Sequence, residues 1–331
     1  MPTALPDEAT LRRALMSAVR APSIYNSQPW RWRATATEAV DLFADPDRHL
    51  IAIDLDRRDL LLSCGAALHH LTVALAKLGW SARIERFPDP ENSDHLARVT
   101  PQSASPPAGM AALGAAIERR HTDRRRFSDQ PVGEDLLTTL VAHAAACGAE
   151  LHVVAGVDAR RRLIEIITAS ASLQRQQMGY AAELAQWTGR YAHAGDGIES
   201  RTVPSGIGRP GDVPIRVFPH GGLAQSPHSF EDEDSSVLMV LSTRHDDRLA
   251  ALRAGEATSA VLLAATSLGL ATTPLGQPIE VAQTRASISQ HIVGPHLSPQ
   301  LLLRVGWAQP GCADLPPTPR RLLDHVLLPS R

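Results

Sequence analysis

Behind Asp7, a residue of the N-capping type, apolar side chains recur at helical spacing through Leu11, Leu15, Ala18 and Val19, and this helix must stop before Pro22. A loop then runs to Pro29. Residues 30–34, 40–44 and 50–55 have the character of short strands, with Asp45-Pro46-Asp47 as the turn between the last two. The run 59–78 is a long, mostly apolar helix ended by Gly79, residues 81–87 and 95–100 alternate as strands, and 101–109 is a linker by composition. Helices are expected at 110–120, 134–146, 158–172 and 174–189, with a strand at 150–155. From 193 to 229 the chain is rich in Gly and Pro and has no long periodic segment. A stretch of that length is a candidate lid. A buried-type strand at 236–243, an apolar helix at 256–268 closed by Gly269 and a last strand at 301–307 complete an α+β chain.

At about 150 residues per domain, 331 residues make two domains or one duplicated one. The formal charge is −2, 44% of residues are hydrophobic and aromatics make up 4%. A near-neutral, aromatic-poor chain has neither the electrostatic footprint nor the stacking platforms of a nucleic-acid binder. No window reads as a membrane span, and the start of the chain, with Asp7 and Glu8, does not read as a signal peptide, so a cytoplasmic protein is expected. Cys64, Cys147 and Cys312 are widely spaced and form no disulfide framework or metal motif. Lys77 is the only lysine among 33 basic residues, so Schiff-base chemistry has a single candidate and no phosphate loop of the GxxxxGK[ST] type exists.

The chain also matches itself at an offset of 190 residues. Gly65, Ala67, Ala74, Leu78 and Gly79 align with Gly255, Ala257, Ala264, Leu268 and Gly269, and Asp56, Arg58 and Leu62 align with Asp246, Arg248 and Leu252. Such a spacing suits a subunit-sized duplication.

Several motifs dissolve on inspection. Residues 206–211 satisfy GxGxxG, but no strand precedes them and Pro210, Pro214 and Pro219 forbid the helix that would bind a phosphate. His69-His70 has no partner at metal-ligand spacing, and residues 231–234 (EDED) read as a solvated turn. Two segments keep their interest. Pro22-Ser23-Ile24-Tyr25-Asn26-Ser27-Gln28-Pro29-Trp30 is a loop stiffened by prolines at both ends, either presenting backbone N–H groups and the Asn26 amide to a polar ligand or simply turning the chain with Trp30 in the core. Arg120, Thr122 and Arg124 alternate on one side of an extended stretch. They form either a phosphate site or a solvated charged turn.

Together these segments resemble the FMN-dependent nitroreductase family, and the whole chain resembles its Acg-type branch. The resemblance rests on PSxxNxQPW at 22–30, R-x-[ST]-x-[KR] at 120–124, the Gly-ended helix and turn over 268–277, and the basic pair Arg320-Arg321 before an apolar arm. The order of the first two is inverted relative to the ordinary family, which implies a pseudo-dimer of two fused subunit-like halves, 1–109 and 110–331, sharing one site, and hence a monomer. The resemblance further implies that Arg120, Thr122 and Arg320, or its rival Arg321, hold the FMN phosphate with help from Ser23 beside Pro22. Asn26 would contact the cofactor from the other half, Arg124 would lie at the pyrimidine edge, and the Pro274-Leu275-Gly276-Gln277 turn would present a backbone N–H to flavin N5. Where the family has an acidic residue and Gly, this chain has Gly276 and Gln277. The implied function is a lid-covered FMN site serving storage or sequestration. The alternative is an active NAD(P)H-dependent reductase of nitroaromatics or quinones.

Overall fold

The computed structural model describes residues 6–34, 39–190, 194–205, 212–225 and 233–329. In chain order its first half contains α1 (Glu8–Ala18), β1 (Trp30–Ala34), β2 (Val40–Ala44), α2 (Arg58–Lys77), β3 (Ser81–Arg86) and β4 (His95–Gln102). After α3 (Met110–Leu113) come α4 (Glu134–Ala146), β5 (Glu150–Val153), α5 (Val157–Arg175), α6 (Tyr180–Gln186), β6 (Val237–Thr243) and α7 (Arg248–Ser267). The chain ends with β7 (Ala271–Leu275), α8 (Gln277–Glu280), α9 (Ala282–Ile288) and β8 (Ser298–Gly306).

The strands form two antiparallel sheets of the same design. One has the order β1-β2-β4-β3 and the other β5-β6-β8-β7, each with a long helix inserted between its second and third strands. Even the irregularities correspond: the pairing slips between Leu42 and Phe43 in the first sheet and between Leu241 and Ser242 in the second. The inserted helices α2 and α7 cross at the centre. A Cβ on Gly65 would lie 2.0 Å from the Leu252 carbonyl oxygen, and a Cβ on Gly255 would lie 2.0 Å from that of Leu62. These are reciprocal contacts at the 190-residue offset. His69 Nδ1 likewise meets Ser259 Oγ at 2.7 Å, and burial lowers the pKa of this imidazole to about 4, so it is uncharged. α2 has the length and apolarity of a membrane-spanning helix, yet that stretch is wholly buried inside the protein, which is why it is apolar on every side.

The C-terminal arm returns to the first sheet. Trp32 N–H donates to the Val326 carbonyl at 2.8 Å and Leu328 N–H to the Trp32 carbonyl at 2.7 Å, so the arm covers the outer edge of β1.

Several expected elements differ. Residues 50–55 form no strand: Ile51 and Leu55 point to solvent, while Leu50 and Ile53, three apart, pack among Tyr180, Leu184 and Trp187. The expected helix 110–120 stops at Leu113 and continues as tight turns, with Ala116 N–H bonded to Leu113 O and Arg119 N–H to Ala116 O. Where helices were expected at 158–172 and 174–189, α5 runs on to Arg175 and the second helix, α6, begins only at Tyr180, after Gly179 at φ 81°. α7 begins eight residues before the expected Glu256, capped by the Asp247 carboxylate on Ala250 N–H at 2.7 Å. The turn expected within 268–277 is largely β7, an edge strand that tolerates Pro274. Of the expected solvated turn 231–234, residues 231 and 232 lie outside the described residues, and Asp234 does not fit it, since its side chain is only 4% exposed and accepts from Arg304 Nη2 at 2.7 Å. Residues 206–211, with the GxGxxG string, lie outside the described residues, as do 193 and 226–229 of the expected lid.

Candidate functional site

The loop between α1 and β1 spans residues 19–29, whereas the corresponding loop between α4 and β5 is only 147–149. In the longer loop Tyr25, Asn26 and Gln28 all adopt positive φ (48°, 54° and 52°), a left-handed conformation costing about 1 kcal/mol for each non-glycine residue. Specific bonds hold this strain. Gln28 N–H donates to Ser23 Oγ at 2.9 Å, Ile24 N–H to Ser63 Oγ at 3.1 Å, and the Asn26 side-chain amide to the Gly197 and Pro319 carbonyls at 3.2 and 3.0 Å. With its donors committed, Asn26 keeps a buried Oδ1 that has no partner.

The loop lies against two adjoining cavities, which share Pro22, Ser23, Tyr25, Thr122 and Arg124 in their walls. Between the halves runs the extended segment 120–126. Asp123 ties it to β7, its N–H donating to Thr272 O at 2.9 Å and its carbonyl accepting from Thr273 Oγ1 at 2.5 Å. The intervening residues Arg120, Thr122 and Arg124 therefore line the cavities, as their alternation requires.

The smaller cavity is cationic. Arg120 and Arg320 line it, and Arg20 lies close enough to both to depress their pKa values. Burial first, and repulsion between these arginines second, pull Arg120 down to about 10 and Arg320 to about 9. Arg120 Nε and Nη1, Arg320 Nε and Arg20 Nε are all buried without a hydrogen-bond partner, and no carboxylate among the described residues is ion-paired with the three. Buried, unpaired guanidinium groups are costly. Convergent donors of this kind suit a doubly charged, oxygen-rich anion such as a phosphate monoester. Of the basic pair, Arg320 lines the smaller cavity, while Arg321 lines neither and is held by Asp45 Oδ2 at 3.4 Å and the Gln28 and His325 carbonyls.

The larger cavity is more apolar. Ile24, Leu62, Ile167, Phe218 and Leu301 line it together with Pro274, Leu275, Gly276 and Gln277. Arg124 lies at its junction with the smaller one, its guanidinium over the Phe218 ring at 5.2 Å, and burial lowers its pKa to about 10. Gln277 turns its amide inward to Gln174 Oε1 at 2.9 Å. Residues 214–218 close this end. Arg216, its side chain 8% exposed, donates to Glu280 Oε1 at 2.5 Å, to Gln174 Oε1 at 3.1 Å and to Tyr25 OH, while Phe218 meets Tyr25 edge to face. Asp59, Arg216, Glu280 and Arg20 escaped the sequence reading. They belong to no contiguous motif, and only the adjacency of Arg20 to Pro22 offered a signal.

The sequence pattern of the nitroreductase family matches residues 117–307, and the chain belongs to that family. Nearly its whole length is similar to two Mycobacterium tuberculosis proteins. The chain is 44% identical to "Putative NAD(P)H nitroreductase Rv3131", covering 99% of this chain and 93% of that protein, and 38% identical to "Putative NAD(P)H nitroreductase acg", covering 98% and 97%. A crystal structure described as a putative nitroreductase from Anabaena variabilis has the same fold, with a TM-score of 0.57 at 10% identity over 92% of this chain and 90% of that one.

Proposed function

We propose that this chain binds one FMN in the two adjoining cavities, phosphate against Arg120 and Arg320 with Arg20 beside them, beneath a cover to which residues 194–205 and 212–225 contribute, and serves flavin storage or sequestration with little turnover of NAD(P)H. The observation that carries this reading is the set of buried guanidinium N–H groups without partners. When bound, FMN supplies hydride chemistry at its isoalloxazine ring. Arg120 and Arg320 neutralise the phosphate, Thr122 and the free Asn26 Oδ1 face the same cleft, and Arg124 sets a positive charge where the two cavities join.

A fused pair of subunit-like halves, 1–109 and 110–331, is supported by the matching strand orders and the reciprocal helix crossing. That one site survives is supported by the different residues at the opposite position, where Arg86 and Glu256 line an open groove. Arg86, 190 residues before Gly276, forms a two-pronged ion pair with Glu256 at 2.7 Å, and the loop 147–149 is too short to copy the strained one.

The Arg216 contacts support a closed cover, because they hold the 214–218 segment over the larger cavity. FMN is expected to bind at about one per chain, with dithionite bleaching its visible band under anaerobic conditions and neither NADH nor NADPH doing so. Rapid bleaching by either nucleotide would establish the reductase alternative instead. Replacing Arg216 with Ala leaves the Glu280 carboxylate without its cation, so faster release of FMN, by about tenfold, is expected in a dilution experiment followed by flavin fluorescence.

A further inference from the structure

In the wall of the larger cavity stands a carboxyl group without a hydrogen-bond partner among the described residues. Asp59, near the start of α2, lines this cavity beside Ser63, Arg216, Gln277 and Glu280 and is only 7% exposed. Its backbone is fully engaged: its N–H donates to Asp54 Oδ1 at 2.9 Å and its carbonyl accepts from Ser63 Oγ at 2.6 Å. Its carboxyl makes no hydrogen bond among the described residues.

The contrast with Glu280 is instructive. Glu280 uses both oxygens, one on Arg216 at 2.5 Å and one on the Gln174 amide at 2.5 Å. Arg216 spends its donors on Glu280, Gln174 and Tyr25, so it is not hydrogen-bonded to Asp59. The charged and titratable groups nearest Asp59 are Asp54 and Asp56 in the preceding loop, Glu280 on α8 and Tyr25 in the strained loop, with Arg216 as the opposing cation and Arg124 in the same cavity wall. Burial raises the Asp59 pKa well above the ordinary carboxylate value, the carboxylates of Asp54 and Glu280 push it the same way, and Arg216 opposes them. An acid in this setting keeps its proton and directs an O–H donor at whatever enters the cavity.

We propose that Asp59 is the proton donor of the covered cavity, serving a small neutral acceptor whose oxygen, of nitro or quinone-carbonyl type, lies against its carboxyl. This rests on the proposed flavin site. The electrons come as a hydride from flavin already reduced. For a nitro compound, hydride plus the Asp59 proton break one N–O bond, and nitroso product and water leave. Asp59 remains as a carboxylate near Arg216 and regains its proton from solvent.

The test uses the FMN-loaded chain, reduced anaerobically with one equivalent of dithionite and mixed in a stopped-flow instrument with 4-nitroacetophenone or, separately, ferricyanide, which accepts electrons without a proton. Asp59→Asn, studied fully loaded with FMN, is expected to slow reoxidation by the nitro compound by at least ~10-fold, the low end for loss of a general acid, while reoxidation by ferricyanide holds. The infrared spectrum at pH 7 supplies a second readout independent of turnover: the carbonyl band of a protonated carboxyl group is expected in the parent chain and absent in the variant. Equal nitro-compound rates in parent and variant, or no such band, overturn the proposal alone. A chain that takes up no FMN overturns the flavin reading and the proposal with it.

Discussion

Replacing Arg120 with Ala is expected to weaken FMN binding by roughly 10- to 100-fold, the equivalent of about 1.5–3 kcal/mol for charge-assisted hydrogen bonds. The same substitution is expected to stabilise the flavin-free chain. Without an anion, Arg120 is a buried cation beside Arg20 and Arg320 with two unpartnered N–H groups, and removing it removes that repulsion and desolvation penalty. Thermal unfolding with and without FMN checks both signs at once: the midpoint should rise for the empty variant and gain less from added FMN than the parent does. A pH series adds a second check. The folded-state values of Arg120 and Arg320, about 10 and 9, lie below the ordinary arginine value, so the unfolded chain binds more protons in that range. By linkage, the empty protein gains stability from this pair as pH rises through about 9, and Arg120→Ala should blunt the gain. A variant with undiminished FMN affinity and an unchanged apo midpoint would falsify the phosphate assignment.

Replacing Gly65 with Val is expected to have the largest effect on stability. Any Cβ at this position falls 2.0 Å from the Leu252 carbonyl oxygen and 3.0 Å from Gly255 Cα, so the obstacle is backbone on a helix that is itself packed on both sides. No rotamer relieves such a contact. The helices α2 and α7 must separate, and because each belongs to a different sheet the whole central core opens with them. A loss of about 3 kcal/mol or more is expected, at or beyond the upper end for overpacking. Gly255→Val should behave alike, since its Cβ meets Leu62 O at the same distance. Urea midpoints read the effect. The matching substitution at Gly79, whose added Cβ would have open space around it, is the control: there the cost is only the strain of a side chain at φ 87°.

Residues lining the two cavities were legible where they are contiguous in the chain. Arg120, Thr122 and Arg124 alternate in an extended stretch, and two-residue periodicity alone puts them on one side. That Arg320 and not Arg321 lines the smaller cavity was beyond any pattern, because adjacent arginines are equivalent until Asp45 and the Gln28 carbonyl claim one of them. Asp59 was invisible for a related reason. In sequence it is an ordinary acid in the first turn of a helix, and only the approach of α8 and the 214–218 segment deprives it of water and partners.

What the linear chain determined by itself was local and repetitive. It comprises the cap at Asp7, the apolar runs that became α2 and α7, the glycines that end them, and the 190-residue self-match that anticipated two sheets of one design. Such features depend on neighbours three or four residues away or on a copied segment, and both are written in order along the chain. Tertiary structure alone decided that 50–55 is a turn, that 110–120 unwinds after one helical turn, and that an edge strand precedes Gly276. It also decided which arginines lie buried together without counterions, because burial and charge pairing are set by segments up to about 300 residues apart, as when Arg320 Nη2 donates to the Arg20 carbonyl.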